Sequence, residues 1–367
     1  MMRQTPLIQQ HRASGAKLVD FAGWEMPIQY SGVVDEYHTV RSHVGLFDVS
    51  HMGRVRIAGA GAAAFLQRVT TNDVGKLAVS QAQYSMVCNE HGGIKDDIFV
   101  YRLAQEEFFL CVNASNREKI VSWLQLQLAH DKTVRLEDQS VELSQVAVQG
   151  PQSRELLVSL GGTAIEGLKL HHICDAMIGG LSCLLARTGY TGELGYEIYI
   201  DADKVARLWD LLVDKGRARG LKPAGLGARD LLRLEMGYLL YGNDMGEETT
   251  PLEANADWTV SFQKGEFIGS QALQTQKQGG VTRRFVAFEL VEKAVPRHGF
   301  RILDPTASQP IGEVTSGNLS PLLQKGIGLG YVPSSYSNQG TPLAIEIRGK
   351  TVPAVVVKAP FYKRKKA

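Results

Sequence analysis

Short segments of strand character bounded by turn residues recur in three separated stretches of the chain, and this pattern confines much of it to strands. In the first stretch, residues 51–112, Arg54-Val55-Arg56-Ile57-Ala58 alternates cleanly. A second strand over 83–88 ends at the turn cluster Asn89-Glu90-His91-Gly92-Gly93. Strands over 94–103 and 108–112 follow and complete a meander, with the helical run 62–67 inserted after the first strand. A comparable pattern returns over 146–200. The spacing of Val205, Leu208, Trp209 and Leu212 then predicts a helix with one apolar face, with Asp201 or Asp203 as its cap and Gly216 as its stop. A second helix is expected over 226–235, placing Arg229 and Arg233 on one face. The polar segment 275–280 reads as a linker. Beyond it short strands over 285–290, 311–315, 326–332, 343–347 and 352–357, spaced by Gly, Pro and Ser turns, predict a small β-barrel or sandwich.

At 367 residues the chain exceeds one ordinary core, so two or three packed units are expected. The 40 Lys and Arg against 38 Asp and Glu leave a formal charge of +2, which gives no global field for nucleic acid or an anionic membrane. No apolar signal core follows Met1 and no run reaches membrane-spanning length, so a cytoplasmic location is the simplest expectation. Cys88, Cys111, Cys174 and Cys183 lack metal-ligand or disulfide-framework spacing and read as small buried hydrophobes. The terminal run 363–366 is a local basic patch.

Three segments carry candidate chemistry. Gly59-Ala60-Gly61 follows a strand and opens a helix, as a dinucleotide-binding turn does, but no acid follows at the required distance. A tight turn of small residues is the better reading. In Gly93-Ile94-Lys95-Asp96-Asp97, strand alternation puts Asp96 on the apolar face with Ile94, Ile98 and Val100. A carboxylate there needs a hydrogen-bond partner or suffers a raised pKa, and both are conditions of a working acid or base. A bulge after Gly93 would reverse the faces and leave a strand-end Asp in water, so spacing alone leaves both readings open. Three glycines among Arg187 to Glu197, with Tyr190, Glu193, Tyr196 and Glu197, mark a loop able to hold a flat heteroaromatic ligand, or a hairpin with surface glutamates. His171-His172-Ile173-Cys174 lies on an expected strand without the partners of a zinc site, and the ordinary hydrolase, zinc-protease and phosphate-loop motifs are absent.

Together these segments resemble the aminomethyltransferases, the T-proteins of the glycine cleavage system, from about Thr5 to Phe361. The matching motifs include Phe21-Ala22-Gly23-Trp24-Glu25-Met26-Pro27, Gly45-Leu46-Phe47-Asp48-Val49-Ser50-His51-Met52-Gly53, Gly189-Tyr190-Thr191-Gly192-Glu193, residues 227–235 and Tyr241-Gly242-Asn243-Asp244. The resemblance implies an α+β, three-domain cloverleaf around a central folate channel. Its domains would comprise 1–52 with about 138–237, about 53–137 with 238–275, and a C-terminal antiparallel barrel over 281–367. It implies transfer of the aminomethyl carbon from the dihydrolipoyl arm of H-protein to tetrahydrofolate, giving the 5,10-methylene derivative and ammonia, with no metal. It further implies Asp96 as the essential acid, and Tyr84, Asn113, Tyr190, Glu197, Arg229 and Trp258 as folate contacts. Two features depart from the family pattern: Lys95 stands where relatives commonly carry an aliphatic or small residue, and the tail after Phe361 is short and basic. That tail is a candidate contributor to H-protein docking. The rival readings are a folate-dependent demethylase and a folate-binding scaffold for iron–sulfur or tRNA maturation. The scaffold's Lys-Gly-Cys motif is replaced here by Lys264-Gly265-Glu266.

Overall fold

The computed structural model describes residues 2–129, 131–162, 164–306 and 308–364, so His130 and part of the basic tail, Lys365 and Lys366, lie outside the described residues. The chain divides into two compact units, one of residues 1–85 and 96–230, the other of residues 86–95 and 231–367.

The first unit holds two larger sheets. In the six-stranded sheet the spatial order is Ile173–Ile178, Leu181–Ala186, Gly195–Asp201, Leu143–Gln149, Val44–Asp48 and Leu221–Pro223. All pairs are antiparallel except the last. One face is covered by the predicted helix, Val205–Gly216, whose Val205, Leu208, Trp209 and Leu212 are buried against Leu46, Val146, Val148 and Ile198. Its start differs from expectation. Lys204 occupies the N-cap without a side-chain cap bond, and the chain enters through the Lys204 N–H on the Asp201 carbonyl at 2.9 Å.

The other face of this sheet packs on the five-stranded sheet through Ile173, Ala186 and Tyr199 against Tyr101, Phe109 and Cys111. Hydroxyls buried in that layer need partners, and Tyr101 and Tyr199 supply each other's at 3.0 Å. The five strands lie in the order Ala82–Cys88, Ile94–Ala104, Glu107–Val112, Gly53–Ala58, Arg135–Asp138. The last three strands of the expected meander are present. The first, Gly53–Ala58, instead pairs on the far side of Glu107–Val112, and the helix Ala62–Val69 buries Ala62, Phe65, Leu66 and Val69. At the Gly59 turn a Cβ on Gly59 would sit 2.1 Å from the Thr133 carbonyl oxygen, and one on Gly61 2.1 Å from the Thr133 hydroxyl. The space a pyrophosphate would need is filled by the protein's own chain. His171 and His172 precede strand Ile173–Ile178 instead of lying on it, His171 in a turn at φ +57° and His172 in an isolated antiparallel bridge to Gln81.

In the second unit a closed six-stranded antiparallel barrel runs Arg283–Leu290, Lys325–Pro333, Pro310–Ser320, Arg301–Leu303, Pro342–Ile347, Lys350–Val357. Arg301–Leu303 was not anticipated, and the expected linker 275–280 falls largely inside a helix, Ser270–Gly279, anchored by buried Leu273. Alternation explains the glycines of Lys325–Pro333. Gly328 faces inward, where an added Cβ would meet the Phe288 ring at 2.3 Å, while Ile327, Leu329 and Tyr331 face outward onto Leu234, Phe285 and Ala287.

Candidate active site

Asp96 owes its position to the turn before it. The Asn89 side-chain oxygen accepts the N–H groups of His91 at 3.0 Å and Gly93 at 2.9 Å, and Gly92 takes φ +83°. A Cβ on Gly93 would lie 1.8 Å from the Glu247 carbonyl oxygen, so only glycine fits. Burial along the strand then alternates, with Ile94, Asp96, Ile98 and Val100 buried and Lys95, Asp97 and Phe99 partly exposed. Lys95, on the opposite face, pairs with Glu247 at 3.1 Å. Of the two readings left open by spacing, the buried one holds, and Asp96 is fully inaccessible.

Its partners come from Asn113, which follows strand Glu107–Val112, and from Asn116 in the next turn, Ala114–Asn116. The Asn113 backbone N–H donates at 3.1 Å, the Asn113 side-chain amide at 2.8 Å and the Asn116 amide at 2.6 Å. Burial and then the neighbouring charge of Asp97 push Asp96 up to about 7, against the lowering effect of these amides. Such a carboxyl both gives and takes a proton near neutrality.

Asp97 and Tyr84 complete this cluster. The Tyr84 hydroxyl donates to Asp97 Oδ2 at 2.8 Å, and the Asn113 amide reaches Asp97 Oδ1 at 2.6 Å and its carbonyl at 3.1 Å. Burial, followed by the Asp97 charge, holds the Tyr84 phenol well above its ordinary value.

The glycine-rich loop joins strands Leu181–Ala186 and Gly195–Asp201. Two of its glycines make room for one amide: a Cβ on Gly189 or Gly195 would lie 2.1 or 2.2 Å from Gln149 Oε1. That Gln149 amide accepts from Thr191 at 2.9 Å and donates to the Thr188 and Tyr196 carbonyls at 3.2 and 3.3 Å. The loop's glutamates are not ordinary surface groups. Glu193 pairs with Arg41 at 2.9 Å, both nearly buried. Glu197, 8% exposed, accepts from the Thr188 hydroxyl at 2.5 Å and the Gln145 amide at 3.0 Å. Each carboxylate oxygen retains a second lone pair. Tyr190 is half-buried, and the Arg229 guanidinium lies 4.7 Å from its ring centroid, a cation–π geometry.

Within the first unit, then, Tyr84, Asp96 and Asn113 share one hydrogen-bond cluster with Asp97, Tyr190 and Arg229 form a stacked pair, and Glu197 is fixed by Thr188 and Gln145. Trp258 belongs to the second unit, on the 3₁₀ turn Asp257–Thr259, with 65% of its surface exposed. Sequence reasoning did not single out Asn116, Gln145, Gln149 or Thr188. The acid beside Asp96 and the Asn-x-x-Asn spacing were the available signals for the first cluster. His51 was also missed as a functional candidate: it is 4% exposed, its Nδ1 has no hydrogen-bond partner, and it lies edge-on to Phe21 with ring centroids 5.6 Å apart. Burial pushes it down to about 4, with the charges of Arg229 and Arg54 adding to the fall and Asp48 opposing it. His51 is therefore neutral at pH 7. Among the described residues no group of three or more His, Cys, Asp or Glu is placed to hold a metal ion, and no helix is long and apolar enough to cross a membrane. Cys88, Cys111 and Cys183 are buried with thiols pushed up to about 12, whereas Cys174 is half-buried.

Comparison with known proteins gives a consistent picture. The GCVT N-terminal domain family matches residues 7–264, and the glycine cleavage T-protein C-terminal barrel domain family matches residues 283–363. An aminomethyltransferase of Desulfitobacterium hafniense is 44% identical over 363 residues, covering 99% of both chains. One from Chloroherpeton thalassium is 47% identical over 360 residues, covering 98% of this chain and 99% of its own. The crystal structure of glycine cleavage system aminomethyltransferase T from Bartonella henselae superposes with a TM-score of 0.93 at 33% identity, over 100% of this chain and 99% of that one.

Proposed function

The chain belongs to the aminomethyltransferases, the glycine cleavage T-proteins, and from that premise we propose how its residues carry out the family's reaction. It is a transferase that moves the one-carbon unit of an aminomethyl group, carried on the dihydrolipoyl arm of H-protein, to tetrahydrofolate. Tetrahydrofolate supplies the two amine nitrogens that bond to the carbon; the carbon's bonds to the amino nitrogen and to the arm's sulfur break, and the two displaced N–H protons leave on ammonia and the freed thiol.

The observation that carries the mechanism is Asp96: a fully buried carboxyl, gripped by three amide N–H groups and pushed up to about 7. Held there, Asp96 accepts the proton released as an amine becomes bonded to carbon, and its ionised form stabilises positive charge developing on the carbon. Positioned proton transfer of this kind contributes about 10²–10⁴-fold, and a fixed charge in a dry site adds to it. Glu197, already oriented by Thr188 and Gln145, uses its remaining lone pairs to receive the paired N–H edge of the pterin. Tyr190 offers the ring face opposite Arg229 for stacking. Tyr84 and Asn113 keep the acid cluster in register.

We read the chain as three domains: 1–52 with about 138–237, about 53–137 with 238–275, and 281–367. The separate sheets support this reading. Strands between 44 and 48 and between 143 and 223 build the six-stranded sheet, those between 53 and 138 the five-stranded one, and those from 283 onward the barrel.

The test is tetrahydrofolate-dependent ammonia release from aminomethylated H-protein by the native chain and by Asp96→Asn. Turnover by the native chain, with a loss of at least 100-fold in a variant that still binds tetrahydrofolate, is expected. A native chain that binds tetrahydrofolate but ignores aminomethylated H-protein would overturn the proposal in favour of demethylation or a scaffold role.

A further inference from the structure

Two adjacent residues of a strand ordinarily face opposite ways, yet Asp96 and Asp97 are tied together by one side chain. The Asn113 amide has two N–H groups and three acceptors within reach: Asp96 Oδ1 at 2.8 Å, Asp97 Oδ1 at 2.6 Å and the Asp97 carbonyl at 3.1 Å. The carboxylates therefore compete for the same donors. The second Asp97 oxygen is fixed by the Tyr84 hydroxyl at 2.8 Å, so Asp97 cannot swing clear of the pair.

Resting on the transfer reading above, we propose that Asp97 is a positioning residue for the reaction: linked to Asp96 through the Asn113 amide, it sets by its charge how readily Asp96 takes and gives up a proton. Within the first unit the groups that donate hydrogen bonds to the pair are neutral ones. Strand Ala82–Cys88 contributes Tyr84, and Asn113 and Asn116, before and in the turn Ala114–Asn116, contribute neutral amides. Arg117, which follows, is committed to Asp138 at 2.8 Å. Asp97 is accordingly the named charge that raises Asp96, after burial itself. The amide donors lower Asp96 while burial and the Asp97 charge raise it. A second carboxylate beside it keeps the proton available in the range where an amine must lose one and ammonia must leave with one.

The experiment is an NMR titration of the full chain labelled with ¹³C at the aspartate carboxyls, with the Asp96 signal assigned by its loss in Asp96→Asn. Native protein, Asp97→Asn and Asp97→Glu are compared, each first checked by thermal melt. Asp97→Ser takes the place of Asp97→Asn if the latter does not fold. The Asp96 midpoint is expected to fall by about one pH unit or more when the neighbouring charge is removed and to stay near the native value when glutamate keeps it. The acid limb of the single-turnover transfer rate should move with the midpoint. An unmoved midpoint in the neutral variant, or an equal shift in both variants, would overturn the proposal, because either is what a purely structural role gives. The titration is read without H-protein, so an inactive native chain refutes the transfer reading while the midpoint still decides the role of Asp97.

Discussion

Replacing Asp96 with asparagine should change how the protein's stability depends on pH, and the size of the change follows from the site. The carboxyl rises from its ordinary 3.8 to about 7 on folding, so between those values the folded state holds a proton that the unfolded chain has lost. Stability therefore falls as pH rises through this window and levels off above it. At ~1.4 kcal/mol for each pH unit the difference approaches ~4 kcal/mol, an upper figure because the titration is shared with Asp97. Asparagine removes this dependence. It also turns one acceptor oxygen into an amide that must face a donor, Asn113 or Asn116, at a cost of about 1–3 kcal/mol that does not vary with pH. Taking the native–variant difference at pH 4.5 and at 8.5 cancels that fixed cost. Urea unfolding followed by circular dichroism should thus find the variant the weaker protein at the lower pH, with ~2–4 kcal/mol of relative recovery at the higher. A difference that stays flat within about 0.5 kcal/mol across the range would mean that Asp96 folds with an ordinary pKa, and the proton-handling argument would fail with it.

Three further perturbations test other parts of the structure. Arg233→Met strands Asp244, its buried partner at 2.6 Å, and should cost ~3–5 kcal/mol in urea unfolding of the second unit; a loss below 1 kcal/mol would show the pair to be solvated. Gly328→Ala drives a methyl into the Phe288 ring at 2.3 Å and should cost at least ~1–3 kcal/mol, with partial recovery in the double variant with Phe288→Leu. No penalty would contradict the inward facing of Gly328. Thr188→Val removes the hydroxyl that holds Glu197, so tetrahydrofolate affinity measured by calorimetry should fall about 5–10-fold, or ~1 kcal/mol; unchanged affinity would detach Glu197 from the pterin.

How much of this was legible depended on the range of the interaction. The buried face of Asp96 followed from alternation within one strand, and the face of Val205–Gly216 from spacing within one helix. The barrel strands were marked by their own turns. Features set by distant partners were not visible: the burial of Glu193 depends on Arg41, 152 positions away, and the fixing of Glu197 on Gln145, 52 away. The displaced strand Gly53–Ala58 is the same problem for topology, because its alternation fixes a face but not a neighbour. The 275–280 error had a local cause: polar Gln and Lys favour helix as readily as loop, and one buried anchor, Leu273, decided between them. Three-residue Arg301–Leu303 is too short to show a period. The chemistry itself came from motif resemblance, since no spacing rule distinguishes a folate loop from a hairpin.

Three aspartates are buried among the described residues, and their surroundings separate structural work from chemical work. Asp244 is matched by the Arg233 guanidinium, with hydroxyls of Thr315 and Ser316 on its other oxygen. Asp48 receives His11, Thr5 and the Ser50 N–H, and these outweigh burial to hold it below the ordinary carboxylate range. Both are satisfied within the folded chain and tie segments together. Asp96 receives amide N–H groups and a like charge beside it, so folding leaves its anion under-compensated. A buried site of that kind costs stability, and under the proposed mechanism the cost is recovered when a cationic centre develops next to it. The environment that makes Asp96 a poor structural residue is thus the one that suits it to the proposed acid–base role, and a cation placed permanently beside it is expected to stabilise the fold while abolishing that role.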